Sequence, residues 1–270
     1  MLHKTILIHI LWECNPTCDL CYAISPFRST LIKEEEMKIL AEKGYLIPTK
    51  VLKNTIDQIP RNYWIYLRGG EPSLYPNWAE LARYFAEKGH KIGLDTNGFW
   101  IPSTLENKSL VDHFYKTLDT LAHSNIKIIL SVDKWHEAKD PQIMKKAKIF
   151  IEAAENRGVN YLIFNTGLPE TELRNYYKTL NVDPRNMASR RWVYRLGRRE
   201  NDPNTVNYCD HKEREIMVIA SDGTIYPCLK GFAKKIKGLE LGNIYRDSIK
   251  KILTLIEEKD FCKNCKYHNF

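Results

Sequence analysis

Thr5-Ile6-Leu7-Ile8-His9-Ile10-Leu11-Trp12 runs straight into Cys14-Asn15-Pro16-Thr17-Cys18-Asp19-Leu20-Cys21-Tyr22. The apolar run is too short to cross a membrane and reads as a strand, Lys4–Leu11. The loop after it has the spacing C-x3-C-x2-C, with no fourth cysteine nearby. Three thiolates in one short loop can hold three irons of a 4Fe–4S cube and leave the fourth iron without a protein ligand. An open iron can bind and reduce a ligand, so the loop reads as a reactive centre and not only a structural one.

Downstream, short apolar runs alternate with longer amphipathic ones. Strands are expected at Tyr63–Leu67, Lys91–Leu94, Lys127–Val132, Tyr161–Asn165 and Trp192–Leu196. Helices are expected between them, at Pro48–Ile59, Asn77–Lys88, Leu110–Ala122, Pro141–Arg157 and Glu170–Thr179. Strands separated by helices argue for parallel βαβ units and an α/β fold. A βα repeat takes ~30 residues, so about six units fit before residue ~200, too few for a closed eight-stranded barrel.

Parallel β/α sheets carry ligands at the carboxyl ends of their strands. That rule collects the cysteine loop, Gly69-Gly70-Glu71, Thr96-Asn97-Gly98, Asp133-Lys134-Trp135-His136, Asn165-Thr166 and Arg195 at one end. Trp12, Phe99, Trp100, Trp135 and His136 lie near strand ends too. They could line a cavity or cap the core of the fold. No partner for His136 is visible in the sequence.

Gly69-Gly70-Glu71-Pro72 directly follows the second apolar run. Cysteine loop and glycine turn, in this order and at this separation, resemble the radical S-adenosylmethionine (SAM) superfamily. The resemblance implies an open, partial (β/α)6 barrel over residues 1–200. It implies that Cys14, Cys18 and Cys21 ligate the catalytic cluster. The open iron would then bind the amino and carboxylate groups of SAM. One electron from the cluster would cleave SAM to methionine and a 5′-deoxyadenosyl radical, which takes hydrogen from a substrate. In this reading Gly69 and Gly70 admit the methionine part, and Glu71 accepts from its ammonium group. Asn97, Ser131, Asp133 and Asn165 are placed to meet the cosubstrate, and Arg195 to pair with its carboxylate. Leu20 stands where many relatives carry an aromatic residue. It can still pack on adenine, and the neighbouring Tyr22 can contribute stacking.

Other chemistries fit less well. A zinc site would more often show paired C-x2-C knuckles and tetrahedral closure. Seven cysteines is an odd number for a disulfide framework. With 270 residues, 43% of them hydrophobic and 27% charged, the chain reads as soluble and globular. A cytoplasmic location suits reduced thiols. The formal net charge of +8 gathers partly in Arg190, Arg191, Arg195, Arg198 and Arg199 and in Lys234, Lys235 and Lys237. Such clusters can attract nucleic acid, which keeps a tRNA-modifying role as an alternative, although no common RNA-binding motif accompanies them.

After the turn-rich Asn201-Asp202-Pro203-Asn204 the pattern changes. Ile216–Ala220 and Thr224–Pro227 flank Ser221-Asp222-Gly223 as a hairpin, and an amphipathic helix follows at Ser248–Lys259. Cys209, Cys228, Cys262 and Cys265 could ligate one zinc or every iron of a second cube. On spacing alone these are even, and a zinc-stapled binding protein without catalysis stays open. The order of the four cysteines around Gly223 resembles the "twitch" form of the SPASM extension of radical SAM enzymes. That implies a small auxiliary 4Fe–4S domain over residues 201–270. The expected protein is a two-cluster radical SAM enzyme that oxidises or rearranges a short peptide or small polar metabolite. It would be served by a flavodoxin- or ferredoxin-type electron donor, with no membrane as partner and nucleic acid disfavoured as one.

Overall fold

The computed structural model describes residues 4–16, 18, 19, 21, 32–61, 63–190 and 216–258. Strands β1 (Thr5–Leu11), β2 (Trp64–Gly69), β3 (Lys91–Thr96), β4 (Ile126–Ser131), β5 (Asn160–Thr166) and β6 (Met187–Arg190) follow one another across one sheet, all parallel. The sheet continues past β1. There β7 (Ile216–Ile219) pairs parallel with β1, and β8 (Thr224–Tyr226) and β9 (Gly242–Asn243) add antiparallel edges. The nine-stranded order β6-β5-β4-β3-β2-β1-β7-β8-β9 is open at both ends. The fold is thus a mixed α/β partial barrel, as the βα alternation implied, and not a closed one.

Period-2 alternation divides the sheet into two faces. Ile65 and Leu67, Ile128 and Leu130, and Tyr161 and Ile163 point to one face and are buried. The helices α2 (Thr49–Ile56), α3 (Trp78–Glu87), α4 (Lys108–Leu121) and α6 (Ile143–Asn156) cover that face. Leu52, Phe85, Phe114, Leu118 and Phe150 close the main core. Tyr66 and Arg68, Ile129 and Ser131, and Leu162 and Phe164 point to the opposite, inner face and are only half-buried.

Strand β1 is buried along its whole length, on both faces. Ile6, Ile8 and Ile10 join the main core. Leu7 joins a second cluster with Ile216, Val218, Tyr226, Leu229 and Phe232 on the inner side. Two of these come from α8 (Leu229–Lys234), which begins at Cys228. Gly223 takes φ +81° in the β7–β8 turn, where its N–H donates to the Ala220 carbonyl at 2.9 Å. Ser221 Oγ donates to the Gly44 carbonyl at 2.9 Å and ties that turn to the end of α1 (Glu34–Glu42). The last helix, α9 (Ile249–Glu258), returns Ile249, Ile252 and Leu253 to the main core.

Several elements differ from the sequence expectation. Met187–Arg190 is a strand that the pattern did not announce, set by its ladder to β5, while the expected strand Trp192–Leu196 lies outside the described residues. Helix α1 was not expected, because Glu34-Glu35-Glu36 hides its apolar stripe of Met37, Leu40 and Ala41. The hairpin and final helix of the C-terminal region fall where the pattern placed them. The expected boundary near residue 201 lies outside the described residues.

Candidate active site

The root of the cysteine loop is clamped from two sides. On one side Tyr45–Ile47 pairs with the end of β1: Trp12 N–H donates to the Tyr45 carbonyl at 2.7 Å, and Ile47 N–H to the Ile10 carbonyl at 2.9 Å. On the other side lies the turn after β2. Gly70 N–H donates to the Leu11 carbonyl at 3.1 Å, and Glu71 N–H to the Glu13 carbonyl at 2.8 Å. A Cβ on Gly69 would stand 2.4 Å from the Leu11 oxygen, and one on Gly70 1.7 Å from the Glu13 oxygen. The immediate reason for both glycines is therefore the backbone of the cysteine loop itself. Within that loop Cys21 N–H donates to the Cys18 carbonyl at 3.1 Å, so the last two thiols sit on one tight turn.

Glu71 is 1% exposed. Its Oε1 accepts from Thr96 Oγ1 at 2.7 Å and from Ser73 N–H at 3.0 Å, and its Oε2 accepts from Asn97 N–H at 2.7 Å. A carboxylate has about four acceptor positions, so these three donors leave room for one more. Burial pushes the Glu71 carboxyl up, against the pull of those hydrogen bonds. A cation beside it would reverse that cost.

Asn97 ties three pieces together. Its N–H reaches Glu71, its Nδ2 donates to Asn15 Oδ1 at 2.9 Å and lies 3.9 Å from Cys14 Sγ, and its Oδ1 accepts from Phe99 N–H at 3.0 Å. Gly98, at φ +76°, closes the turn, donating to Thr96 Oγ1 at 3.1 Å.

Asp133 follows β4 and caps the four-residue helix α5 (Lys134–Glu137). Its Oδ1 accepts from the N–H groups of Trp135 and His136, both at 3.0 Å, and meets His136 Nδ1 at 2.8 Å. His136 thus has the partner that sequence could not supply. Burial opposes its charge, but hydrogen bonds to Asp133 and to Cys18 outweigh this and hold it up at about 10. Lys139, just beyond α5, reaches Asp19 of the cysteine loop at 3.9 Å.

The turns after β1, β2, β3 and β4 therefore meet around the cysteine loop. Ser131 lies on the inner face at the end of β4. Asn165 ends β5 at the same level, fully buried, with its amide spent locally. Nδ2 donates to the Val132 carbonyl at 3.1 Å, and Oδ1 accepts from Leu168 N–H at 3.2 Å. Leu20, Tyr22, Arg195, Cys209, Cys262 and Cys265 lie outside the described residues. Phe99, Trp100 and Trp12 pack on the two hydrophobic clusters, as the core-capping expectation had it. Trp100 packs on Trp78 (5.2 Å), Phe114 (5.5 Å) and Phe150 (6.0 Å) and caps the core. Trp12 turns inward, 5.6 Å from Phe232.

The donor set fits an iron–sulfur cluster and SAM. Burial pushes the Cys14 thiol well up, and the charges of Glu71, Cys21 and Cys18 push it further. That mutual repulsion is relieved when the thiolates share a metal centre. Asp133 Oδ2 and Glu13 Oε2 are buried acceptors with no hydrogen-bond partner, an expense that a ligand's donors would remove. Among the described residues no three His, Cys, Asp or Glu side chains close around a single ion. Thiolates at three corners of a cube stand farther apart than that. The sequence pointed to Cys14, Glu71 and Asn97, but not to Asn15, Ser73 and Thr96, which hold them in place. Thr96 was legible only as part of the Thr-Asn-Gly turn.

Residues 209–266 match the SPASM family, an iron-sulfur cluster-binding domain. A tungsten-containing aldehyde ferredoxin oxidoreductase cofactor-modifying protein of Pyrococcus furiosus is 21% identical over 300 aligned residues. The match covers 93% of this chain and 81% of that protein. YydG of Bacillus subtilis, whose name assigns it to peptide biosynthesis, is 29% identical over 138 residues, covering 50% of this chain and 38% of that one. Among solved structures, SuiB of Streptococcus suis bound to its precursor peptide SuiA superposes with a TM-score of 0.55 at 17% identity. That superposition covers 100% of this chain and 67% of SuiB. With four strand-end turns meeting at a three-cysteine loop on an open barrel, the chain is similar in fold to radical SAM enzymes. Its C-terminal region adds the match to the SPASM domain, over residues 209–266 alone.

Proposed function

We propose that this enzyme modifies a peptide by hydrogen-atom abstraction, using two 4Fe–4S clusters. The carrying observation is the hydrogen-bonded chain Glu71–Asn97–Asn15, which sets a buried carboxylate beside Cys14. When bound, the first cluster supplies the electron that splits SAM into methionine and the 5′-deoxyadenosyl radical. Cys14, Cys18 and Cys21 hold that cluster. Glu71 accepts from the ammonium of SAM with its remaining lone pair, and Thr96, Ser73 and Asn97 stop the carboxylate from turning away. Asp133 Oδ2 and Ser131 face the rest of the cosubstrate. The Gly69-Gly70 contact fixes the distance between this carboxylate and the thiols.

Cys209, Cys228, Cys262 and Cys265 hold the auxiliary cluster, within a C-terminal unit over residues 201–270. Cys228 Sγ accepts from Gly231 N–H at 3.2 Å at the start of α8. That bond lets the thiolate keep its charge while bound to metal. Four thiolates leave no open iron, which favours electron transfer as the role of this cluster. A small flavodoxin- or ferredoxin-type protein supplies the electrons. Peptide chemistry is supported by YydG and by the SuiB–SuiA complex. The cofactor-modifying relative from Pyrococcus furiosus, which matches most of the chain, supports a second reading in which a small organic cofactor is the substrate. Among the described residues no helix is long and apolar enough to cross a membrane.

Anaerobic reconstitution followed by iron and sulfide analysis tests this proposal. About eight irons per chain is expected, and about four would remove the auxiliary cluster. Cys14→Ala, Cys18→Ala and Cys21→Ala are each expected to abolish 5′-deoxyadenosine formation, measured by chromatography. Undiminished formation would defeat the assignment.

A further inference from the structure

Two thiol-bearing segments far apart in the chain meet through aromatic rings. Trp12 follows β1, two residues before Cys14, and its N–H donates to the Tyr45 carbonyl at 2.7 Å. Phe232 lies one helical turn after Cys228, and its N–H donates to the Cys228 carbonyl at 3.2 Å. The Trp12 and Phe232 ring centres are 5.6 Å apart at 77°, an edge-to-face pair. Such pairs attract beyond the area they bury. Phe232 is 2% exposed and also packs on His9 at 4.3 Å and on Tyr226 at 6.0 Å, so close packing fixes where its ring meets Trp12.

The helix that carries Phe232 is held at both ends. With six residues, α8 is too short to be stable by itself. At its start Cys228 Sγ accepts from Gly231 N–H at 3.2 Å. Along its length Leu229 and Phe232 share a buried cluster with Leu7 and Val218. At its end Lys235 takes φ +45°, a left-handed conformation that a lysine keeps only where its surroundings fix it. Lys235 N–H on the Phe232 carbonyl at 3.2 Å and Ile236 N–H on the Gly231 carbonyl at 3.1 Å do so. Lys235 Nζ then lies 5.8 Å from the centre of the Trp12 ring. Two side chains of one short segment therefore bear on one indole.

Beyond Trp12 the chain is stiff. The Trp12 N–H is tied to Tyr45, and the Glu13 carbonyl accepts from Glu71 N–H at 2.8 Å, so a shift of the indole is passed along the backbone to Cys14. We propose that Phe232 is a positioning residue for the cysteine loop, acting through Trp12, and that metal held by Cys228 reinforces it by anchoring α8. The second part rests on the reading of Cys228 as a ligand of the auxiliary cluster. The contact acts by packing alone, and nothing is transferred through it. Metal at either cysteine group then tightens the hold of the other, because a coupling of this kind is reciprocal.

The test uses the full chain, reconstituted anaerobically. Iodoacetamide labelling of Cys14, Cys18 and Cys21 is followed peptide by peptide while bathophenanthroline removes iron. Phe232→Leu, which keeps most of the volume but loses the ring, is expected to speed labelling of the three thiols about fivefold. Trp12→Ala is expected to match it, and Trp12→Phe, which keeps a ring, to restore most of the protection. In the double variant of Trp12→Ala with Phe232→Leu the two effects should not multiply, because one contact is lost once. Phe85→Leu, in the main core on the other face of the sheet, controls for general loss of stability, with melting temperatures compared. Labelling unchanged in Phe232→Leu, or raised equally in Phe85→Leu, overturns the proposal. Failure of the first site to load in Phe232→Leu is the expected effect at its limit, provided Phe85→Leu loads. Cys228→Ala should speed labelling as Phe232→Leu does, and unchanged labelling in a Cys228→Ala chain that has lost iron overturns the link to Cys228. A Cys228→Ala chain that keeps about eight irons contradicts the auxiliary cluster instead, and the Phe232 variants still decide the role of that residue.

Discussion

His9 is the one ionisable side chain of β1, and its environment decides its charge. Its ring is buried, tilted against Phe232 at 4.3 Å, and burial together with the Arg68 cation lowers it from 6.5 to about 3. In the unfolded chain it titrates at its ordinary value. Its neutral burial therefore favours folding fully only above pH ~6.5, and that contribution is lost as pH falls toward ~3. His9→Leu removes this dependence. Between about pH 7.5 and about pH 5.5 the wild type should lose about 1 kcal/mol more unfolding free energy than the variant. Denaturant titration at the two pH values measures this, and equal losses would show that His9 is not the group responsible. The identity of this residue was plain in the sequence. Its neutrality was not, because Phe232 and Arg68 reach it through the sheet and not along the chain.

At the level of elements, the turn after β2 and the loop after β1 behave as one unit. Gly70 is the contact point, and no side chain fits there, since its Cβ would overlap the Glu13 carbonyl. Gly70→Ala must push the two backbones apart and is expected to cost about 3 kcal/mol. Iron content after anaerobic reconstitution should fall with it. A fully loaded, equally stable Gly70→Ala protein would show that the loops are independent. The sequence motif marked these glycines, but for the approach of SAM, and the approach of the neighbouring loop is visible only once β1 and β2 are paired. Legibility varied for physical reasons elsewhere too. Strands β2 to β5 were readable because one face meets helices and the other an open interior, which writes a period of two. Met187-Ala188-Ser189-Arg190 writes no such period, and its strand exists through pairing with β5. The short caps at Glu71 and Asp133 are set by one and two side-chain to backbone bonds, which no periodicity announces.

At the scale of the whole molecule, the C-terminal hairpin is part of the barrel's sheet and not an appendage to it. Val218 stands beside Leu7, and α8 lays Phe232 against His9. A chain cut after Arg190 would expose the β1 edge together with Leu7 and half of its packing. Such a chain is expected to aggregate and to take up no iron at its N-terminal loop, as gel filtration and iron analysis would report. A monomeric, iron-loaded fragment would contradict this. The α/β class and the parallel order could be anticipated from βα alternation. That β1 lies in the middle of the sheet could not, because β7 returns to it from far along the chain.

That return has a consequence in time. The ribosome emits β1 long before the strand that completes its second edge, which begins only at Ile216. At about 5–20 residues per second the wait is roughly 10–40 s. Throughout it the strand that carries the thiol loop has one bare flank, as in the chain cut after Arg190. Metal loading at the proposed ligands Cys14, Cys18 and Cys21 is then expected only after β7 has arrived, and a nascent chain is expected to need protection from aggregation until that point.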